Sequence, residues 1–205
     1  IATILSTAKT DESLIQRAEQ HGVHADALPF IEITYTADNA MKHEIEDLCR
    51  RDVTVVFTSA SAVHAIGHII FNANPIWRIY CVGYATKNVI PEYFDTSTIQ
   101  GTGLDSAHLA HVIMEHEENE VVFFCGDKRM DTLPDMLAEG GITVRELIVY
   151  VTTLTPHKVD KHYNGILFYS PSGVESFFSE NTVGEDTVLF SIGRTTAATL
   201  NKHSA

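Results

Sequence analysis

The sequence predicts an α/β fold with largely parallel sheet, and three observations carry this prediction. Short apolar runs alternate with stretches of helical periodicity along the chain. Helical spacing is found in Leu14 and Ala18 after Asp11, and in Leu133 and Leu137 after Asp131. The same order of elements also occurs twice. The predicted strands cover residues 3–5, 28–33, 53–57, 79–82, 121–124, 148–151, 166–168 and 188–192.

The duplication consists of two unit types that alternate along the chain. Unit A is a strand, a helix and a second strand, in "TILSTAKTDESLIQRAEQHGVHADALPFIEIT" and again in "VVFFCGDKRMDTLPDMLAEGGITVRELIVYVT". Unit B pairs "VVFTSASAVHAI" with "CVGYATKNVI", and recurs as "ILFYSPSGVESFF" with "SIGRTTAATL". Gly22 and Gly141 close the helical runs of the two A units, where glycine accepts a positive φ without a Cβ clash. The chain therefore has the order A-B-A′-B′.

The pairing of these units is left open by the residues themselves. Two sequential domains, A-B and A′-B′, are as compatible with the spacing as a crossed arrangement of A with B′ and B with A′. In either case the sequence predicts two similar α/β domains, with a cleft between them as the natural ligand site.

Composition narrows the class of protein. A formal net charge of −13 argues against nucleic acid as a partner, since phosphate contact needs a basic face. No apolar run approaches the roughly 20 residues that span a bilayer, and the first residues do not resemble a signal peptide. The scattered Cys49, Cys81 and Cys125 favour reduced thiols and a cytoplasmic protein.

Hydroxyl residues follow the first strand of each B unit, at the positions where helices should begin. Ser59 and Ser61 occupy these positions in the first copy, and Ser170 and Ser172 in the second. Simple helix capping is one interpretation. The other is anion binding, because the N–H groups and dipole at a helix N-terminus attract negative charge.

Further glycine turns strengthen the anion-binding interpretation. Gly83 is followed by Thr86, and Gly193 by Thr196, in the two Gly-x-x-Thr turns. "FCGDKR" adds a turn with basic side chains, and "GTGLDSAHL" adds a weaker glycine turn with a Ser or Asp cap. Several such turns could hold several carboxylates or phosphates with few cations, as an acidic chain would require.

Other chemistry-bearing patterns are incomplete. His64 and His68 share a helix face, as do His108 and His111, but no third ligand accompanies either pair and no metal site is predicted. The chain has no nucleophile elbow, no phosphate loop and no dinucleotide fingerprint after a strand. These absences disfavour hydrolases, nucleotide enzymes and dehydrogenases.

The repeated segments, together with "GDKRMDTLPDMLAEGGITVRELIVYVTT", resemble the uroporphyrinogen-III synthase family in order and spacing over nearly the whole chain. The resemblance implies the crossed arrangement, with two α/β domains joined by a two-stranded linker and a discontinuous first domain. It places domain 1 at 1–33 and 157–205, linker strands at 34–36 and 151–156, and domain 2 at 37–150. The family pattern continues past the last Gly-x-x-Thr helix, and the resemblance leaves open whether the native chain extends beyond Ala205.

The resemblance also implies an activity. Family members cyclise hydroxymethylbilane, a linear tetrapyrrole, with loss of water and inversion of the fourth ring, and they use no metal or cofactor. The product is uroporphyrinogen III, a precursor in haem biosynthesis. Tyr150 matches the family tyrosine proposed to assist the loss of water, and packing on a linker strand is the alternative role. The implied substrate-binding residues are Thr58, Ser59, Ser61, Gly83, Thr86, Gly126, Lys128, Arg129, Ser170, Ser172, Gly173 and Thr196.

Some positions depart from the family pattern. Arg194 stands where proline is usual, Ala60 replaces a frequent proline, and Ser61 replaces a frequent arginine. Met130 occupies a common arginine position, so Arg129 or Lys128 is expected to substitute for it. A two-lobed binding protein for a polyanionic small molecule, without turnover, is the alternative function, and an inactive tetrapyrrole carrier is another. A monomer is the default expectation.

Overall fold

The computed structural model describes residues 2–71 and 73–203. The strands are β1 (Ala2–Ser6), β2 (Val23–Ala27), β3 (Ile31–Tyr35), β4 (Val53–Phe57), β5 (Trp77–Val82), β6 (Ile99–Gly103), β7 (Glu120–Gly126), β8 (Thr143–Leu154), β9 (Gly165–Phe168) and β10 (Val188–Ser191). The helices are α1 (Glu12–Gln20), α2 (Asn39–Leu48), α3 (Ala60–Ile69), α4 (Gly83–Val89), α5 (Ser106–Glu115), α6 (Thr132–Glu139), α7 (Pro171–Phe178) and α8 (Arg194–Asn201). The predicted α/β class is confirmed.

The pairing of strands is the crossed one. Among the described residues, one sheet has four strands in the order β10-β9-β1-β2, and the other has six in the order β3-β8-β7-β4-β5-β6. β1 pairs in parallel with β9, and β4 with β7. Unit A therefore pairs with B′, and B with A′. The chain divides into two compact units, unit 1 being Ile1–Glu32 with Thr152–Ala205 and unit 2 being Ile33–Val151.

The sheet of unit 2 is buried on both faces, as the fully apolar strands predict. Val55 and Phe57 of β4 join a core formed with α2, α3 and α4, whereas Val56 joins a second core formed with α5 and α6. The ring of Phe57 stacks on that of Phe124 in β7, with centroids 5.5 Å apart. This alternation fixes which face each residue of β4 presents.

Unit 1 has a core on one face of its sheet. Leu5, Ile166 and Phe168 pack there with α7 and α8. Helix α1 forms where the sequence predicts it, but Leu14 is 51% exposed and no residue of α1 is buried. The exposed large side chains of β10 and the residue after it are Val188, Phe190 and Ile192.

The predicted helix boundaries follow from local hydrogen bonding. The side chain of Asp11 accepts a bond from the Ser13 amide, at 2.7 Å, and so caps α1. Gly22 and Gly141 adopt φ of +76° and +80° at the ends of α1 and α6, which confirms the predicted left-handed turns. No helix in the described part of the chain is long and apolar enough to cross a membrane.

Two local predictions are wrong. The apolar run 28–33 is not one strand, because the segment from Leu28 to Phe30 lies between β2 and β3, where Phe30 is fully buried in the core of unit 1. The glycine turn expected at 101–103 is instead part of β6. An added Cβ at Gly101 would lie 2.9 Å from the Tyr80 ring, and one at Gly103 would lie 2.5 Å from the Leu109 amide nitrogen. These glycines permit close packing.

A polar network ties together neighbouring strands of unit 2. The carboxylate of Glu118, just before β7, accepts hydrogen bonds from Thr54 of β4 at 2.7 Å and from Arg78 of β5 at 3.2 Å. Arg78 also pairs with Asp52. The Glu118 side chain is 11% exposed and that of Asp52 is 68% exposed. Burial makes the first ion pair more important for stability than the second.

Replacing Gly141 by alanine is expected to lower the free energy of unfolding by about 1 kcal/mol, because its φ is left-handed. Open space surrounds the added Cβ, so the loss reflects backbone strain alone. Gly184→Ala is the matched control, since its Cβ also meets nothing within 4 Å but its φ is not in the left-handed range. Urea unfolding of both variants checks this, and equal losses would contradict it.

Glu118→Ala is expected to destabilise the chain by about 2–3 kcal/mol, since it leaves Arg78 and Thr54 without their partly buried partner. Asp52→Ala removes the exposed partner of the same guanidinium and should cost about 0.5 kcal/mol. Chemical denaturation followed by circular dichroism measures both. Similar losses for the two variants would show that burial does not govern the network.

Candidate functional site

The carboxyl ends of the parallel strands in unit 2 meet at one edge of the sheet. Phe57 of β4 is aligned with Phe124 of β7 and with Cys81 of β5, and Gly126 of β7 is aligned with Tyr150 of β8. The residues that follow these positions therefore share this edge. Loops at the carboxyl edge of an open parallel sheet are the usual location of ligand sites in α/β folds.

Ser59 and Tyr150 are hydrogen-bonded to each other at this edge. Ser59 is the N-cap of α3 in extended backbone conformation, and its Oγ accepts a bond from the Ala62 amide at 3.3 Å. The Tyr150 hydroxyl donates to the same Oγ at 2.9 Å. The predicted cap is confirmed. The structure also places it in contact with the predicted general acid, from which it is 91 residues distant in sequence.

Gly126 makes room for the Tyr150 ring. A Cβ on Gly126 would lie 2.4 Å from Cε2 and Cζ of Tyr150 and 2.8 Å from its hydroxyl oxygen. The register also shifts between Cys125 and Gly126, which aligns Gly126 directly with Tyr150. Only glycine lets the ring occupy this position. In this structure the role of Gly126 is to accommodate Tyr150.

The environment keeps Tyr150 protonated. Burial raises the pKa of its phenol, and this effect exceeds the opposing contribution of the hydrogen bond with Ser59. The charges of Cys125 and Asp127 would also raise this pKa. A phenol with a pKa above about 10 carries its proton at neutral pH and can donate it.

The other predicted residues of unit 2 differ in accessibility. Thr58, Ser61 and Gly83 are partly exposed near this edge, and Gly83 adopts φ of +72° at the start of α4. Thr86 is only 4% exposed, so its side chain lies within the packing of α4. The local sequence pattern does not distinguish the accessible hydroxyls of Thr58 and Ser61 from the buried hydroxyl of Thr86, because all three follow a strand end or a glycine.

The two basic residues of the "FCGDKR" turn have different surroundings. Arg129 pairs with Glu146 and with Asp131. These carboxylates, Glu146 foremost, raise the pKa of Arg129 further, and they compensate its charge. Lys128 is exposed. Glu146 and Asp131 form ion pairs with Arg129 and not with Lys128.

In unit 1, the second hydroxyl turn repeats the geometry of the first. The Oγ of Ser170 accepts a bond from the Gly173 amide at 3.1 Å and caps α7, as predicted. Ser172 lies in the first turn of α7 and is partly exposed. Gly173 is buried, and Thr196, in the first turn of α8, is 4% exposed. Ser170 and Ser172 are thus the more accessible members of this set.

Sequence reasoning missed a hydroxyl cluster after β1 of unit 1. Ser6 Oγ lies 2.7 Å from Thr10 Oγ1 and 3.3 Å from the Tyr169 hydroxyl, and Thr7 Oγ1 donates to the Leu167 carbonyl at 2.9 Å. The run "STAKT" directly after a predicted strand was a usable signal, since it occupies the same kind of strand-to-helix turn as Ser59. Its hydroxyls donate to one another and to the backbone carbonyls of Ala8 and Leu167, so the cluster stabilises the turn after β1.

A second missed cluster lies on α3 and near it in unit 2. His64 Nδ1 is 2.9 Å from the Tyr93 hydroxyl, and His68 contacts the rings of Tyr93 and Tyr35. The distance between these residues in sequence left no local signal. Within residues 2–71 and 73–203, no group of three or more His, Cys, Asp or Glu is arranged to hold a metal ion.

Comparison with known proteins gives a consistent result. Residues 12–205 match the family model described as uroporphyrinogen-III synthase HemD. The chain is similar in fold to uroporphyrinogen-III synthetase from Helicobacter pylori 26695, with 17% identity and a TM-score of 0.66 over all of this chain and 90% of that one. A mutant uroporphyrinogen III synthase from the extremely thermophilic bacterium Thermus thermophilus gives 15% identity and a TM-score of 0.65 over 100% and 90% of the two chains.

The two kinds of match support different statements. The structural matches, below 25% identity, concern the fold alone. The family model matches residues 12–205, which is most of the chain. This chain therefore belongs to the uroporphyrinogen-III synthase family.

Proposed function

We propose that this chain cyclises hydroxymethylbilane to uroporphyrinogen III, with loss of water and inversion of the fourth pyrrole ring. The family to which it belongs is one of cofactor-independent, lyase-type enzymes of tetrapyrrole biosynthesis that act on hydroxymethylbilane. The observation that carries the proposal is the Tyr150 hydroxyl, held at 2.9 Å on Ser59 at the carboxyl edge of the sheet of unit 2. A protonated phenol is suited to assist the departure of the substrate hydroxyl.

The substrate carboxylates are held mainly by neutral donors in this proposal. With a net charge of −13, and with Arg129 already paired with two carboxylates, the chain offers few cations to a polyanion. Ser61, Thr58 and the backbone near Gly83 supply donors in unit 2, and Lys128 supplies one exposed charge. Donors at helix N-termini favour anions through the helix dipole.

The proposal extends to the corresponding turn of unit 1. Ser170 and Ser172 present hydroxyls at the start of α7, and the backbone at Gly173 belongs to the same first turn. Thr86 and Thr196, which are largely buried, would bind substrate only after local rearrangement. Binding spread over many such groups would make most single substitutions at these turns tolerable.

We also propose that the chain acts as a cytoplasmic monomer. Cys49, Cys81 and Cys125 are free thiols, and burial raises the pKa of each to about 11, which disfavours the reactive thiolate. Thiols of this kind are compatible with a reducing compartment. Light scattering after size-exclusion chromatography would give a mass near 22.7 kDa for a monomer and a multiple of it otherwise.

Incubation of the chain with freshly prepared hydroxymethylbilane, followed by oxidation and separation of porphyrin isomers, tests the proposed function. The type III isomer is expected in excess over the protein-free control, which gives type I by spontaneous closure. Product consisting of type I alone would overturn the proposal. Tight binding without type III product would instead support a two-lobed binding protein.

Tyr150→Phe is expected to lower kcat for type III formation by about 10²-fold, because it removes a proton donor from the site. KM should change little, since the ring and its packing against Gly126 remain. Tyr80→Phe is the matched control, as it removes the hydroxyl of a buried tyrosine in unit 2 that contacts Glu118 instead of Ser59. Unchanged kcat in Tyr150→Phe would remove the role assigned to its phenol.

Gly126→Ala is expected to lower kcat by at least about tenfold, because the new methyl group would displace the Tyr150 ring from Ser59. Combining it with Tyr150→Phe should add little further loss, since the displaced hydroxyl is already absent. Steady-state kinetics of the single and double variants measure this. Full activity of Gly126→Ala would show that the position of the ring is not important.

A further inference from the structure

The hydroxyl of Ser59 carries a proton that the surrounding protein groups leave available. A serine hydroxyl has two acceptor positions and one hydrogen to donate. The Oγ of Ser59 accepts from the Ala62 amide at 3.3 Å and from the Tyr150 hydroxyl at 2.9 Å. Both acceptor positions are therefore filled. Among the residues that the structure describes, no acceptor takes the hydrogen of Ser59 itself.

The situation of Tyr150 is the reverse. Its single hydroxyl hydrogen is directed to Ser59, and one side of its oxygen is covered by the backbone of Gly126, where an added Cβ would lie 2.8 Å away. Both side chains are partly exposed, and Ser59 stands at the very start of α3. Of the two hydroxyls, Ser59 is the one whose hydrogen has no acceptor among the described protein groups around the pair.

We propose that Ser59 is the catalytic residue that donates a proton to the leaving hydroxyl of hydroxymethylbilane. Tyr150 is then the positioning residue, and it reprotonates Ser59. The proposal rests on the proposed function and refines it. It orders the chain of hydrogen bonds as Tyr150 hydroxyl, Ser59 hydroxyl and substrate oxygen. It thus assigns to a helix-capping serine the contact that the family resemblance assigns to the tyrosine.

The step balances without a cofactor. The bond between the hydroxymethyl carbon and its oxygen breaks, and the electron pair leaves with the oxygen. The Ser59 proton joins that oxygen to form water, while the Tyr150 proton moves to Ser59 Oγ. A phenolate and a cationic azafulvene result. The ring that closes the macrocycle loses its α-hydrogen to regain aromaticity, and this proton returns by the same path. Ser59 and Tyr150 therefore end the reaction in their starting protonation states.

The position of Ser59 at a helix N-terminus suits this role. Negative charge that develops on Oγ during transfer is stabilised by the dipole of α3 and by the Ala62 N–H that already points at it. The phenol of Tyr150 needs no direct access to the substrate to take part. A residue that only caps α3 would require no tyrosine partner, and Ser170 caps α7 in unit 1 by the same type of bond, with the Gly173 amide.

Substitutions that separate capping from proton transfer test the relay. Ser59→Asn keeps a good N-cap and an acceptor for Tyr150, but it has no hydroxyl proton to transfer. Ser59→Thr keeps both functions. We expect kcat for type III formation to fall about 10²-fold in Ser59→Asn and to stay within about threefold of the wild-type value in Ser59→Thr. Asp38→Ala, which removes the cap of α2 through loss of a 2.8 Å bond to the Met41 amide, is the control for capping alone and should leave kcat unchanged.

A double-mutant cycle distinguishes one relay from two separate contributions. If Ser59 and Tyr150 act in series, Ser59→Asn combined with Tyr150→Phe should be no slower than either single variant by more than about twofold. The solvent deuterium isotope effect on kcat should also decrease in both single variants. Multiplying losses, or a wild-type kcat in Ser59→Asn, would overturn the relay. A wild-type chain that forms only type I product would overturn the proposed function and the relay with it.

Discussion

Parallel pairing of β7 with β4 on one side and β8 on the other is the constraint on which the candidate site depends. Parallel strands deliver all of their carboxyl ends to the same edge, whatever their separation in sequence. Ser59, Gly126 and Tyr150 come from three different strands or the turns after them and meet only for this reason. The alternating burial of β4 and β7 in two cores holds the register, since a slip of one residue would invert their faces.

Stability and the proposed chemistry depend on the same groups at this edge. Ser59 closes the N-terminus of α3 and at the same time accepts the Tyr150 hydroxyl. Gly126 ends β7 and leaves the volume that the Tyr150 ring fills. Each of these groups belongs to a strand or caps a helix, which fixes the position of its backbone. The proposed reaction needs mainly a fixed substrate position and a proton donor. Groups positioned in this way meet both needs.

The charge distribution explains how an acidic chain could act on a polyanion. Its arginines at the two ends of the unit 2 sheet are engaged by carboxylates, as Arg78 is by Glu118 and Arg129 is by Glu146. In unit 1, Asp26 accepts bonds from Lys161 and Tyr163, which lower its pKa, with Lys161 contributing most. These three cations thus form ion pairs within the fold. The hydroxyl and amide donors at helix N-termini are the groups that we propose for binding anions.

The sequence by itself determined the α/β class, the duplicated order of elements, the caps at Ser59 and Ser170, and the left-handed glycines Gly22 and Gly141. These features depend on contacts within a few residues, which a local pattern records. Only the tertiary structure decided the crossed pairing, the burial of Thr86 and Thr196, and the bond between Ser59 and Tyr150. They depend on which strands lie side by side. The A and B patterns each occur twice, so the residues alone allowed more than one pairing, and only the pairing of β1 with β9 and of β4 with β7 distinguishes them.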